Sequence, residues 1–181
     1  MSDLLLVEQC KQHNHHAQMA LYKQYCEGMF IIAQRYLKDS AKAEDAMQEA
    51  FIKAFHKLEQ FKGDVTFGAW LKRIVINTCL DSLKAEKMDL QSLNEEVFNV
   101  AEVDDDWSVP DQTTLAEVTV AIEELPLNYR TAVKLYLLEG YDHQEISEIL
   151  QISENGSRTY LHRGKKKLKE KLKHLRYGTG Y

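Results

Sequence analysis

The chain has 181 residues, 28 acidic and 23 basic, and a formal net charge of −5. No apolar run approaches the roughly 18–20 residues of a membrane helix, and Met1-Ser2-Asp3 lacks the basic opening of a signal peptide, so no direct membrane insertion is expected. Eight Gly and two Pro exclude collagen-like and low-complexity classes, and a hydrophobic share of 44% is enough for packed cores.

The charge is unevenly spread. Residues 1–85 are nearly balanced at net +1, residues 86–120 carry −9, and residues 155–181 carry +8. An acidic bridge before a basic tail points to nucleic acid or another anionic partner. Leu, Ala, Lys, Glu and Gln dominate, which favours helix over strand. The expected fold is all-α: two small helical domains, residues 1–85 and 113–181, joined by a flexible acidic linker, 86–112.

In chain order, residues 3–12 read as a short helix opened by Asp3. A long helix over 16–38 follows, with apolar positions from Met19 to Tyr36 at spacings of three and four. Asp39-Ser40 interrupts and supplies an N-cap for a helix over 41–58. In that helix Ala46, Ala50, Phe51, Ala54 and Leu58 lie on one side, while Asp45, Gln48, Glu49 and Lys53 present a polar face. Residues 59–66 form a loop turning at Gly63. Thr66 caps a fourth helix, 67–84, whose stripe includes Trp70, Leu71, Ile74 and Val75.

The 86–112 stretch, with Glu95-Glu96, Asp104 to Asp106 and Pro110, reads as linker, with transient structure around Val97–Val100. Trp107 is either an anchor or an exposed aromatic. The acidic segment could fold against the basic tail and so restrain DNA binding by the free protein. A helix over 114–124 comes next. Pro126 restarts the chain as an early helical residue, and Gly140 ends that helix. Asp142 and Glu145 form a capping-box pattern for a helix to Leu150, with Ile146, Ile149 and Leu150 buried. Gln151-Ile152 turns, and Ser153 caps a long basic helix.

Cys10, Cys26 and Cys79 form no CxxC pair and read as reduced, mostly buried thiols of a cytoplasmic protein. Cys10 with His13, His15 and His16 matches no standard zinc spacing, so neither metal nor cofactor is expected. There is no Gly-rich phosphate loop or nucleophile elbow, and His56 and His143 are isolated; the chain does not read as an enzyme.

Residues 142–163, DHQEISEILQISENGSRTYLHR, have the shape of a helix-turn-helix. Its second helix would enter the major groove with Arg158, Thr159 and Tyr160 near base edges. His162, Arg163, Lys165, Lys166 and Lys167 follow and suit phosphates. Gln151 stands where a left-handed backbone is wanted, a position often filled by Gly. Gly156 costs up to ~1 kcal/mol in helix propensity and would allow close approach to DNA. In FKGDVTFGAWLKR (61–73), aromatics next to Lys62, Lys72 and Arg73 could meet unpaired bases and phosphates, though Phe67 and Trp70 also suit a core.

AEDAMQEAFIKAFHKLEQF (43–61) and FKGDVTFGAWLKRIVINTCLDSLK (61–84) closely resemble region 2 of the extracytoplasmic-function (ECF) sigma factors of bacterial RNA polymerase. The segment 122–168 resembles their region 4, and the acidic stretch sits where that family has its linker. The resemblance implies a sigma factor that binds core RNA polymerase through the β′ clamp helices and the β flap. It also implies recognition of promoter DNA, as minus-thirty-five duplex and as melted minus-ten single strand, and an anti-sigma factor as a further partner. Asp45, Gln48, Glu49 and Phe51 match the core-binding motif, with Phe51 equally suited to the core. Lys62, Gly63, Asp64, Val65 and Thr66 match the loop that holds a flipped minus-ten base, with Lys72 and Arg73 nearby. Asn77 is either a DNA contact or a buried hydrogen-bonding group. Arg158 to Lys167 would serve the minus-thirty-five element. A stand-alone helix-turn-helix regulator, binding an operator as a dimer, accounts for 122–181 but leaves 45–51 and 61–73 unexplained.

Overall fold

Residues 3–88 and 113–177 are described by a computed structural model. Most of the acidic segment, with Trp107 and the expected restraint by its carboxylates, lies outside the described residues. The fold is all-α, with eight α-helices and no strand among the described residues. The chain divides into two compact units, Met1–Leu93 and Asn94–Tyr181.

The first unit holds α1 (Asp3–Lys11), α2 (His15–Leu37), α3 (Ser40–His56), a 3-10 turn at Leu58–Gln60, and α4 (Phe67–Met88). The boundaries follow local chemistry. Asn14 Oδ1 accepts from the amides of His16 and Ala17 and opens α2. Lys38, at φ 59°, ends it in a left-handed conformation, and its amide donates to the Gln34 carbonyl. Asp39 then caps α3 by accepting from Ala41 and Lys42.

Helix α3 packs on both α2 and α4. Its inner face explains how it can do so. Ala43, Ala46, Ala50 and Ala54 recur at helical spacing and are all buried, so small side chains let two helices approach one backbone. Larger residues fill the rest: Leu21, Phe51, Phe67, Leu71, Val75 and Ile76 are at most 2% exposed. The expected helix over 41–58 stops at His56 because the chain tightens into the 3-10 turn, which buries Leu58 and Phe61. Helix α4 runs beyond the expected end at 84, to Met88. The three cysteines are free; Cys10 and Cys79 are buried, and Cys26 is half-buried. Burial pushes the Cys79 thiol up to about 12 and raises that of Cys10, as suits inert packing thiols.

The second unit holds α5 (Leu115–Glu123), α6 (Leu127–Val133), a π turn at Lys134–Leu138, α7 (His143–Leu150) and α8 (Glu154–Tyr177). Thr114 and Glu117 close a capping box at the start of α5. Pro126 is the N-cap of α6, with extended ψ of 144°, rather than a residue inside the helix. Ala121, Ile122, Leu125, Val133, Leu161, Leu168 and Leu172 form one apolar cluster against α8. The expected continuous helix after Pro126 widens into the π turn. The Glu139 amide reaches the Lys134 carbonyl, and Leu138 is 45% exposed. Gly140, at φ 76°, ends the segment.

One charged side chain, Lys134, is buried in this unit, and Glu123 and Arg130 beside it are half-buried. Lys134 is 4% exposed, and its Nζ is 2.6 Å from Glu123 Oε1. Arg130 Nη1 donates to the Glu123 carbonyl at 2.7 Å and lies 3.6 Å from its carboxylate. The pairing answers the cost of burying a charge and ties α6 to the end of α5.

Candidate functional site

Three surfaces contain the residues singled out by the sequence. The first is the outer face of α3. Asp45, Gln48 and Glu49 are all exposed, and their spacing places them side by side on one face. Glu49 pairs with Lys53 at 2.7 Å, and Gln48 Nε2 donates to Glu44 Oε1 at 3.3 Å. Phe51 is not part of that face. It is 2% exposed and packs on Tyr22 and Phe55, with centroids 4.9 and 6.0 Å away. Of its two readings, the core one fits its place: its direction on the helix is that of Ala50 and Ala54.

The second surface is the loop before α4. Lys62, Gly63, Asp64, Val65 and Thr66 are all exposed. The loop hangs between two buried aromatics, Phe61 and Phe67, which meet edge-on at 5.9 Å. Trp70 is half-buried and packs on both, at 5.3 and 5.8 Å. Gly63 has φ 82°, a conformation that favours glycine. Thr66 Oγ1 accepts from the Ala69 amide at 3.2 Å and so caps α4. Lys72, Arg73 and Asn77 are half-buried on α4, and Arg73 and Asn77 are one turn apart. Asn77 is thus not enclosed, although Val75 and Ile76 beside it are fully buried.

The third surface is the helix-turn-helix. Asp142 Oδ1 accepts from the Glu145 amide at 2.8 Å, and Glu145 Oε2 accepts from the Asp142 amide at 2.9 Å, completing the box. Gln151 adopts the left-handed conformation, φ 56° and ψ 45°, with the Ile152 amide returning to the Ser147 carbonyl. Ser153 Oγ accepts from the Gly156 amide at 3.0 Å. Ile146 and Ile149 are buried, while Leu150 is only half-buried.

On α8 the structure sorts the expected contacts. Arg158, Lys166 and Lys167 are exposed. Tyr160, His162, Arg163 and Lys165 are half-buried. Tyr160 lies edge-on to Tyr129 at 5.8 Å, and Lys165 Nζ sits 5.1 Å above the Tyr136 ring. Thr159 departs from the expectation: it is 2% exposed, and its hydroxyl donates to the Asn155 carbonyl at 2.8 Å, so its side chain faces the core. Gly156 also differs. It is buried, and a Cβ there would lie 3.3 Å from Ser153 Oγ and 3.4 Å from Ile152 Cβ. Its small size serves the turn rather than an outer surface. Asn155, exposed one turn before Arg158, shares the outer side of the helix start.

His143 is not isolated. Its Nδ1 lies 3.0 Å from Ser157 Oγ on α8, and its ring stacks on Tyr136 with centroids 5.3 Å apart. Desolvation, then the charges of Arg158 and Lys165, lower its pKa; Asp142 and Glu154 oppose them. Only the folded arrangement shows this contact, since the two residues are fourteen apart.

Among the described residues there is no group of three or more His, Cys, Asp or Glu placed to hold a metal, and no helix is long and apolar enough to cross a membrane.

An exposed loop at the head of one helical unit and a capped helix-turn-helix in another define a two-part, all-helical nucleic-acid-binding protein. The family profile for Sigma-70 region 2 matches residues 21–88, and that for Sigma-70 region 4 matches residues 115–168. The ECF RNA polymerase sigma-E factor of Escherichia coli strain K12 is 30% identical over 185 residues, covering 97% of this chain and 96% of that protein. The RNA polymerase sigma-H factor of Pseudomonas aeruginosa is 30% identical over 183 residues, covering 96% and 95%. The chain belongs to the ECF sigma factors of the sigma-70 family. Two solved structures share the fold at 21% identity. CnrH in complex with the cytosolic domain of CnrY has a TM-score of 0.57, covering 98% of this chain and 99% of that one. The sigma factor RpoE in complex with the anti-sigma factor NepR, from Bartonella quintana, has a TM-score of 0.58, covering 86% and 96%.

Proposed function

We propose that this sigma factor joins core RNA polymerase through the outer face of α3 and reads promoter DNA with two separate devices. Asp45, Gln48 and Glu49 present two carboxylates and an amide to a basic partner helix, in the manner expected for the β′ clamp helices. Phe51 supports that face from behind. Lys62 to Thr66, with Lys72, Arg73 and Asn77, hold the melted minus-ten strand. A flipped base costs a few kcal/mol in lost stacking, which hydrogen bonds and apolar contact in a pocket can offset.

The helix-turn-helix takes the minus-thirty-five duplex. Arg158 and Asn155 face base edges, and Lys166 and Lys167 meet phosphates, with His162, Arg163 and Lys165 along the same helix. The domain division that goes with this reading is region 2 over 1–85, a linker over 86–112 and region 4 over 113–181. The β flap, an anti-sigma factor and a cytoplasmic location belong to the same reading. The protein carries no chemistry of its own and lends the polymerase its sequence preference.

The observation that carries the reading is the exposed Asp45–Gln48–Glu49 face. A stand-alone operator-binding regulator has no use for it. The test mixes the purified protein with bacterial core RNA polymerase and follows co-elution, then transcription from a promoter library. Asp45→Lys with Glu49→Lys is expected to abolish co-elution with thermal melting unchanged. Specific duplex binding without any association with core polymerase would instead favour the stand-alone regulator.

A further inference from the structure

The start of α1 is bonded to a residue of α2 that packs on an anchor of the exposed loop, although the three are far apart in sequence. Asp3 Oδ1 accepts from Gln24 Nε2 at 2.8 Å, and Oδ2 accepts from the Tyr25 hydroxyl. One carboxylate thereby holds the start of α1 to two adjacent residues of α2. The Tyr25 ring continues the connection. It lies edge-on to Phe67, with centroids 5.5 Å apart. Its Cε1 occupies the space beside Gly68, where an added Cβ would lie only 2.8 Å away.

Phe67 and Gly68 are the first residues of α4, directly after the loop, and Phe67 meets Phe61 on the loop's other side. Leu4, 61% exposed, lies on the same side: its Cδ2 is 3.8 Å from where a Cβ on Gly63 would be.

The loop has few means of ordering itself. Its five residues are exposed, and Gly63 is the residue with the widest conformational freedom. A reader of single-stranded DNA must hold its donors and acceptors in place before the strand arrives, because a displacement near 1 Å can cost a large factor in rate or selectivity. A phenol bonded to a carboxylate is a strong, directional link. Burial, and then the Asp3 bond and charge, push the Tyr25 hydroxyl up to about 12, so it stays a donor at neutral pH.

We propose that Asp3, acting through Tyr25, is a positioning residue for minus-ten selection: it sets the Phe67–Gly68 end of the loop. This rests on the assignment of the Lys62–Thr66 loop to the melted minus-ten strand.

The test uses the full chain assembled with core RNA polymerase. Promoters carry a fixed minus-thirty-five element and a randomised minus-ten element, and the transcripts are sequenced. Tyr25→Phe removes only the hydroxyl and keeps the ring against Gly68 and Phe67. Asp3→Ala removes the acceptor, and Asp3→Glu restores one. Asp64→Ala serves as the reference for the loop itself. Tyr25→Phe and Asp3→Ala are expected to reduce discrimination among minus-ten sequences by roughly tenfold, with core affinity unchanged and Asp3→Glu recovering most of it.

If Asp64→Ala alters the selected sequences and neither Tyr25→Phe nor Asp3→Ala does, the positioning role is wrong and the loop assignment stands. If Asp64→Ala also leaves selection unchanged, the loop assignment fails and takes the proposal with it. If Tyr25→Phe and Asp3→Ala lower core affinity and melting temperature together with selectivity, the link is purely structural and the proposal is overturned.

Discussion

Lys134 Nζ lies 2.6 Å from Glu123 Oε1, and both side chains are largely withdrawn from water, at 5% and 18% exposure. The ion pair joins the π turn to the end of α5. Without the lysine, Glu123 keeps Arg130 Nη1, 3.6 Å from its carboxylate, as its remaining cation, so the loss is smaller than for a wholly unpaired buried charge. Lys134→Met is therefore expected to destabilise the second unit by about 1–3 kcal/mol. Lys134→Met together with Glu123→Gln should recover part of that loss. Urea unfolding of the full chain, followed by two-domain fitting, checks both.

Gly164 permits a close approach of α8 to α6. A Cβ there would lie 2.6 Å from Val133 Cγ2 and 3.2 Å from the Tyr129 carbonyl oxygen. The second of these is backbone and cannot swing aside. Gly164→Ala is expected to cost about 1–3 kcal/mol through overpacking, despite alanine's better helix propensity. A gain in melting temperature would contradict the α6–α8 packing.

Gln151 holds a left-handed conformation that a side chain disfavours by roughly 1–2 kcal/mol. Glycine adopts it without that cost but loses more freedom on folding. Gln151→Gly should stabilise the helix-turn-helix by about 0.5 kcal/mol, read as a higher urea midpoint with unchanged slope. The same change at Lys38, also left-handed at the end of α2, should act in the same direction on the first unit.

His143 gives the second unit a pH dependence. Its folded pKa lies below the ordinary 6.5, chiefly through desolvation, while the unfolded chain keeps the ordinary value. The unfolded state therefore takes up a proton first as pH falls. The contribution to stability is fully present above about pH 6.5 and is lost as pH falls through the folded value. Melting temperatures of the native chain and of His143→Gln between pH 8 and 5 should converge in slope only at the alkaline end.

Lys166 and Arg158 are both exposed cations on α8, yet different losses are expected. Lys166→Ala should weaken minus-thirty-five duplex binding for every sequence and reduce the salt slope by about 1. Arg158→Ala should cost about 1–3 kcal/mol on preferred sequences and relax the base preference. Thr159→Val should leave sequence preference unchanged, because that side chain faces inward.

Much of the helical plan was legible in the residues themselves. Apolar spacing, the caps Asp39, Thr66 and Asp142, and the stop at Gly140 are local signals, each needing only a few neighbours. The outward direction of Asp45, Gln48 and Glu49 followed from helical periodicity alone, as did the exposure of Arg158 and Lys166. Periodicity did not separate Thr159 from Arg158, because one step along a helix turns about 100°, and the width of the buried stripe depends on what packs there.

Sequence alone thus determined the order and most of the boundaries of the helices, the charge layout and the family, since these rest on short-range pattern and motif order. Only the tertiary structure decided which residues act together. Asp3 with Tyr25, His143 with Ser157, Lys134 with Glu123 and Gly164 with Val133 are pairs separated along the chain and joined by packing. Their partners are chosen by how helices cross and how closely they approach, quantities set by the shapes of many side chains at once. The π turn at Lys134–Leu138 belongs with them: no local breaker announces it.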